Sequence, residues 1–145
     1  MKASDANVSI THRFRHPAER VFDAWLDPTI AARFLFVTEP GSVVRCEIDA
    51  RVGGRFTIVD RRAEDGDVLH EGEYLELDRP GRLVFTFGVP KYSPDFDVVT
   101  IEITPTPNGC ELVLTHQYAP APEWPEESVV KGWTGILTGL EGALG

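Results

Sequence analysis

The sequence predicts an α+β fold in which helices cover one face of a seven-stranded antiparallel sheet. Two observations support this prediction. Seven short segments are apolar or alternate between apolar and polar residues, and turn residues such as Asn108-Gly109 separate many of them. The last stretch, residues 131–145 (KGWTGILTGLEGALG), repeats its apolar residues at helical spacing. The length of 145 residues fits one domain, which we expect to span residues 1–145.

The first predicted elements are a strand and two short helices. Residues 8–14 (VSITHRF) alternate, so the strand turns one set of side chains towards the core: Val8, Ile10, His12 and Phe14. The segment HPAERVFDAWLDP places Pro17 at the first position of a helix that Asp27-Pro28 ends. A second short helix is predicted over residues 29–34.

Six further strands follow, and turn signals lie between several of them. The predicted strands are residues 42–50, 54–60, 68–77, 82–87, 97–105 and 110–118. The turn signals are Gly53-Gly54, Asp65-Gly66, Arg79-Pro80-Gly81 and Asn108-Gly109. Short connections make successive strands antiparallel, and the apolar face of the sheet then needs helices to cover it. Residues 90–94 and the proline-rich residues 119–128 are predicted loops.

The last helix combines an apolar face with a row of glycines. On a helical wheel its apolar residues fall on one arc: Val129, Trp133, Ile136, Leu137, Leu140 and Leu144. The glycines form a stripe beside this arc. We expect Gly132 and Gly139 to be buried where another backbone approaches, and Gly135 and Gly142 to face solvent. Each glycine costs about 0.8–1.0 kcal/mol of helix stability relative to alanine, so the stripe requires an explanation.

Composition excludes several classes of function. A formal net charge of -9, without a basic cluster, disfavours binding to nucleic acid and to anionic membranes. No run of 18 apolar residues is present, and the first residues resemble no signal peptide, so we expect a cytoplasmic protein. Cys46 and Cys110 lie singly in apolar strands, which predicts small buried hydrophobes rather than a disulfide or a nucleophile.

Five segments in order give the sequence a resemblance to a known family. They are RHPAERVFDAWLDP, DARVGGRF, HEGEYLELDRPGRLVFTF, VTIEITPTPNGCELVLTH and the closing GW-x3-L-x2-L. Together they resemble the homologues of the activator of the heat-shock-protein-90 ATPase (AHSA type). This family lies within the SRPBCC superfamily, whose members are START-like and birch-pollen-allergen-like, and the match spans residues 8–144. The resemblance implies the helix-grip fold, in which a curved seven-stranded sheet wraps a long C-terminal helix around a cavity.

Two segments depart from the family pattern. Phe34-Leu35-Phe36 stands where many relatives have a pair of tryptophans, and His116-Gln117-Tyr118-Ala119 stands where they have His-Ser-Gly-Phe. Because both segments border the cavity that the resemblance implies, the ligand preferences of relatives are not carried over to this sequence.

The function predicted from this fold is binding of a small, largely apolar molecule between the sheet and the last helix. The predicted lining is Phe14, Trp25, Phe34, Phe36, Phe56, Tyr74, Phe85, Phe87, Trp133, Ile136, Leu137 and Leu140. His12 and His116 are expected on neighbouring strands and on one face, as polar anchors or as a general-base pair. The alternative is that both are hydrogen-bonded core histidines.

The remaining motifs predict no catalytic residue, metal or cofactor. His70 is expected roughly 14 Å from the last strand, too far for a metal site of three histidines. A strand rather than a helix follows Gly53-Gly54, which excludes a phosphate loop, and Asp49 and Arg51 are expected to pair. Glu71 and Glu73 share one side of a strand, which predicts a solvated face.

Two further functions stay open. The family name suggests an accessory protein of a chaperone ATPase and a link to the stress response, although the eukaryotic activator carries an N-terminal domain that this sequence does not contain. Some superfamily members are cyclases or hydrolases, but no nucleophile motif is present here. Lipid binding is compatible with the apolar cavity, and the protein is expected to be a monomer or a homodimer.

Overall fold

The computed structural model describes residues 6–36, 42–62, 66–91, 94–118 and 125–145. These residues form seven strands and three helices: β1 (Ala6–Phe14), α1 (Ala18–Ala24), α2 (Pro28–Phe34), β2 (Ser42–Ile48), β3 (Arg55–Arg62), β4 (Gly66–Asp78), β5 (Arg82–Phe87), β6 (Asp97–Thr106), β7 (Gly109–Tyr118) and α3 (Glu126–Leu144). The predicted order of elements is confirmed. Asp65 and the predicted loop residues 92–93 and 119–124 lie outside the described residues.

The strands form one antiparallel sheet in the order β1-β7-β6-β5-β4-β3-β2. Successive strands pair from β2 to β7, and β1 joins the sheet by pairing with β7. The predicted adjacency of the first and last strands is therefore confirmed. The register of β1 and β7 places Val8 opposite His116 and His12 opposite Leu112.

One face of the sheet, which we call the inner face, packs against the helices. Burial alternates along the strands, so that β7 buries Cys110, Leu112, Leu114, His116 and Tyr118 in turn. Helix α3 turns Trp133, Leu137, Leu140 and Leu144 towards this core. Both the α+β class and the helix-grip arrangement are thereby confirmed. None of the described helices is long and apolar enough to cross a membrane.

The helix boundaries differ in detail from the sequence prediction. Pro17 precedes α1 as its N-cap instead of occupying the first helical position. Asp27 caps α2, because its Oδ1 accepts hydrogen bonds from the backbone amides of Thr29 (2.9 Å) and Ile30 (3.4 Å). Helix α3 begins at Glu126, so residues 126–128 are helical although the prediction placed them in a loop. Acidic residues in that first turn interact favourably with the helix dipole.

The glycine stripe of α3 follows the prediction only on its exposed side. Gly135 and Gly142 face solvent as predicted, and a methyl group added at either would meet nothing within 4 Å. The prediction for Gly132 is wrong, because this residue is exposed and equally open. Gly139 lies against Phe34, and a methyl group added at Gly139 would be 3.4 Å from Cβ and 3.8 Å from Cα of Phe34. No backbone atom is therefore close enough to exclude a side chain there. Close packing therefore does not explain the stripe, and no other contact among the described residues does.

Candidate functional site

The predicted lining residues lie together in the core. Ten of them are buried in one cluster: Phe14, Trp25, Phe34, Phe36, Phe56, Tyr74, Phe85, Trp133, Leu137 and Leu140. Phe87 and Ile136 are partly buried and pack against it. These side chains fill the space in which the resemblance predicts a cavity. The void lined by Trp25, Leu35, Phe56, Tyr74, Leu83 and Phe85 measures about 10 Å³, roughly the volume that one water needs.

His12 connects the edge of the sheet to helix α3. Its Nε2 lies 2.8 Å from Oε1 of Glu141, and its ring lies 4.5 Å from the ring of Phe14. The Glu141 side chain is 43% exposed, so this contact is at the margin of the core. His12 therefore has a partner on the helix and holds the two elements together.

His116 belongs to a closed hydrogen-bonded group with Asp97 and Trp133. The indole Nε1–H of Trp133 donates to Nδ1 of His116 over 2.9 Å. An indole can only donate, so Nδ1 must accept and the proton lies on Nε2. Nε2 donates that proton to Oδ2 of Asp97, also over 2.9 Å. Both ring nitrogens are satisfied, and the group joins β6, β7 and α3.

His12 and His116 share the inner face but do not meet. The register of β1 and β7 sets His12 four residues along the strand from the partner of His116, or roughly 13 Å. Each ring has other partners, so the two side chains form no acid–base pair. The alternative that both are hydrogen-bonded histidines describes their geometry.

His70 on β4 is the third histidine of the inner face, and its environment differs. Its side chain is buried, with 5% of the residue exposed. Its Nδ1 makes no hydrogen bond with any residue that the structure describes. Burial, assisted by the charge of Arg62, lowers the pKa of His70 to about 4. The backbone carbonyls of Ile58 and Val68 and the carboxylate of Asp60 oppose this shift without cancelling it. His70 is therefore uncharged at neutral pH.

The ring of Phe36 covers His70. It lies 4.6 Å from the imidazole and 4.7 Å from the ring of Phe87, and both pairs are parallel within 6°. Phe56 (6.2 Å) and Trp133 (5.9 Å) complete the surroundings of Phe36. We call these four neighbours, His70, Phe87, Phe56 and Trp133, the ring pocket. Phe36 fills it.

Phe36 holds this position with an unusual backbone. Its φ is 60°, and it is the only described residue other than glycine with a positive φ. For a residue with a side chain, the left-handed conformation costs about 1–2 kcal/mol. Such a conformation persists only where the surroundings impose it, and it often marks a functional position.

Phe87 links the two buried histidines. Its ring centre lies 6.0 Å from that of His70 and 5.9 Å from that of His116. The inner face therefore presents an imidazole, a phenyl ring and a second imidazole in a row. Among the described residues, no three His, Cys, Asp or Glu side chains come together as metal ligands.

The other predicted pairs and faces are accounted for. Nε of Arg51 donates to Oδ2 of Asp49 over 2.8 Å, as expected. Glu71 and Glu73 share the side of β4 opposite the buried His70, as predicted, but both are half-buried there and not fully solvated. Cys110 is buried and Cys46 half-buried, and burial raises the pKa of both thiols, so neither is an activated nucleophile.

Sequence reasoning named Phe36 as a lining residue but missed the importance of His70. The alternation of β4 does place His70 on the buried side together with Gly72 and Tyr74. This alternation could have marked His70, because a buried histidine needs a hydrogen-bond partner. The sequence gives no sign, however, that Nδ1 of His70 lacks a partner among the described residues.

Comparison with protein families gives one match over most of the chain. The family model described as "Activator of Hsp90 ATPase homolog 1-like protein" matches residues 15–145. No curated protein matches the chain significantly.

Solved structures share the fold over nearly the whole chain. A protein from Chromobacterium violaceum is 28% identical, with a TM-score of 0.84 over 94% of this chain and 95% of its own. An AHSA1-like protein from Aeromonas hydrophila is 22% identical, with a TM-score of 0.82 over 96% and 92%. A protein from Nitrosomonas europaea is 22% identical, with a TM-score of 0.80 over 99% and 96%.

Proposed function

The chain belongs to the Activator of Hsp90 ATPase homolog 1-like family, and on this premise we propose that it binds a small, largely apolar molecule between the inner face and helix α3. The observation that carries the proposal is the ring pocket around Phe36. Aromatic side chains meet there beside a buried histidine whose Nδ1 lacks a partner among the described residues. A core that served stability alone would gain by replacing that imidazole with an apolar ring.

Binding in the void beside Trp25 and Phe56 requires side chains to move, because this void measures only about 10 Å³. A small aromatic molecule needs roughly ten times that space. The residue best suited to move is Phe36, since its backbone is strained and its ring is held by contacts that a ligand can replace.

The polar anchor of the proposed site differs from the one predicted by sequence. His12 is hydrogen-bonded to Glu141, and both nitrogens of His116 are occupied by Asp97 and Trp133. His70 is the inner-face histidine with a buried nitrogen that lacks a partner among the described residues. We therefore assign the anchor to His70 and treat the other two as structural.

A fluorescent apolar probe tests this function. We expect N-phenyl-1-naphthylamine to bind the wild-type protein with micromolar affinity, because a concave aromatic site needs few specific contacts to reach about -8 kcal/mol. The variant Leu137→Trp adds bulk beneath α3, where Leu137 is fully buried, and should weaken binding at least about tenfold.

The matched control is Gly135→Trp, which adds the same side chain to the exposed face of the same helix. Its affinity for the probe should equal that of the wild type, and circular dichroism checks that both variants are folded. Probe binding that is absent, or equal in both variants, rejects a site beneath α3.

The family description favours a second candidate, docking on a chaperone ATPase. Native mass spectrometry of protein purified from its own host separates the two, because a retained small molecule supports ligand binding and a co-purified chaperone supports docking.

Two unpaired cysteines suit a reducing compartment, and we propose a cytoplasmic location and a single functional domain over residues 1–145.

A further inference from the structure

Phe36 resembles a bound ligand more than an ordinary core residue. Its ring lies flat over His70 and Phe87, as a planar aromatic ligand would lie, and Trp133 meets it at 66°. Offset parallel stacking and edge contacts are the preferred arrangements of aromatic rings. The pocket is therefore shaped for one flat six-membered ring, which the protein itself supplies in this structure.

The backbone of Phe36 makes this arrangement reversible. A φ of 60° is unfavourable for phenylalanine, so the stacking contacts hold the residue against a local preference for another conformation. A ligand ring that makes the same contacts would replace them, and Phe36 would leave with relief of its backbone strain. Strain at this residue thus lowers the cost of opening the pocket.

The charges around the ring pocket select an uncharged ligand. His70 is neutral at pH 7 because burial lowers its pKa to about 4. The nearby guanidinium of Arg62 is bound to Asp60 through a contact of 2.7 Å, and Asp97 lies beside His116. A carboxylate in the pocket would be near these two acids, and the guanidinium of Arg62 is already paired. Fatty acids and other anions are disfavoured.

His70 adds a polar requirement. Its Nδ1 is buried without a partner among the described residues, and a hydroxyl can either donate to or accept from it. The nitrogen lies in the plane of the imidazole, whereas stacking uses the face of that ring. The ligand's hydroxyl must therefore be on a short arm that leaves the plane of its aromatic ring.

We propose that the ring pocket binds an uncharged aromatic molecule with a short hydroxyl-bearing arm, whose ring displaces Phe36 from His70 and Phe87 and whose hydroxyl hydrogen-bonds to His70. The inference rests on the proposed function and specifies its ligand class. Phe36 then competes with the ligand from within the protein. The apparent affinity for the ligand is the intrinsic affinity multiplied by the fraction of molecules in which Phe36 has left the ring pocket.

Benzyl alcohol is the probe, titrated by NMR against the wild-type protein, Phe36→Ala and a control, Phe22→Ala. Phe22 is also buried, but it lies on α1 and belongs neither to the predicted lining nor to the ring pocket. We expect measurable binding to the wild type and binding at least about tenfold tighter to Phe36→Ala, because the competing ring is gone. Phe22→Ala should stay within about twofold of the wild type. If Phe36→Ala is unfolded, Phe36→Leu should tighten binding about threefold, since leucine cannot stack.

Two comparisons test the ligand class. Benzoate should bind the wild type at least about tenfold more weakly than benzyl alcohol. The variant His70→Phe should weaken benzyl alcohol about fivefold while leaving ethylbenzene, its apolar isostere, unchanged. Equal losses for both compounds, or benzoate binding as well as benzyl alcohol, would overturn the assigned class.

Other outcomes overturn the displacement of Phe36. They are absence of benzyl alcohol binding to the wild type at its solubility limit, and equal affinities of the wild type and Phe36→Ala. These results are distinct from failure of the proposed function. If N-phenyl-1-naphthylamine still binds and Leu137→Trp still blocks it, ligand binding beneath α3 stands and only the role of Phe36 is lost.

Discussion

Two histidines on the inner face, His116 and His70, are each 5% exposed and both lie beside Phe87, yet their hydrogen bonding differs. His116 uses both ring nitrogens in hydrogen bonds, to Asp97 and from Trp133. His70 leaves Nδ1 without a described partner and is covered by the strained Phe36. Equal burial therefore does not imply an equal role. A satisfied buried histidine stabilises the fold, whereas an unsatisfied buried nitrogen reduces stability.

The largest expected effect is the loss of stability on replacing His116. The variant His116→Phe removes two buried hydrogen bonds and leaves the indole N–H of Trp133 without an acceptor. The free energy of unfolding at pH 7 should fall by about 2–4 kcal/mol, measured by urea denaturation.

The matched substitution His70→Phe should lower the free energy of unfolding by clearly less than His116→Phe, by no more than about 1 kcal/mol, because Nδ1 of His70 makes no hydrogen bond with a described residue that the change could remove. If the two variants lose similar amounts of stability, the distinction between the two histidines fails.

The next effect is a dependence of stability on pH that arises from His70. Its pKa is about 4 in the folded protein and about 6.5 when unfolded, so the unfolded chain binds more protons between these values. Stability should therefore fall as pH decreases below about 6.5. At pH 5 the wild type should have lost about 2 kcal/mol relative to His70→Phe, since one pKa unit corresponds to about 1.4 kcal/mol.

Urea midpoints of the two proteins at pH 7 and pH 5 measure this difference, and all other titrating groups are common to both. Parallel pH profiles would mean that His70 titrates normally and is not desolvated.

A smaller loss of stability is expected when Nδ1 of His116 is left without its donor, as Nδ1 of His70 is among the described residues. The variant Trp133→Phe removes the donor to Nδ1 of His116 while keeping an aromatic ring on α3. We expect a loss of about 1–2 kcal/mol in the free energy of unfolding, for one neutral hydrogen bond and a buried acceptor left unpaired. In the His116→Phe background the same change should cost clearly less, as a double-mutant cycle would show. Additive losses would contradict the hydrogen bond.

The sequence allowed most of the fold to be predicted, because its signals are local. Alternating residues such as those of residues 8–14 fix which side chains a strand buries, and glycine-containing turns fix where strands end. The start of α3 was less visible, since Pro125 and two glutamates also suit a loop. Boundaries depend on capping and are less certain than the elements themselves.

The candidate site was harder to predict, because its chemistry depends on partners distant in sequence. Asp97 lies 19 residues before His116, and Trp133 lies 17 after it. Whether a histidine in an apolar row gains such partners depends on strand register and on the placement of α3. The left-handed backbone of Phe36 has no sequence signal at all, since phenylalanine is not expected there.

The most direct test of the central claim, that Phe36 occupies the place of a ligand ring, is a crystal structure of the wild-type protein with benzyl alcohol. We predict the ligand ring parallel to His70 and Phe87 in the position that Phe36 holds here, with the φ of Phe36 changed from 60° to a negative value. The His116 hydrogen bonds should be unchanged. A structure in which the ligand is bound elsewhere while Phe36 remains stacked on His70 would contradict the account.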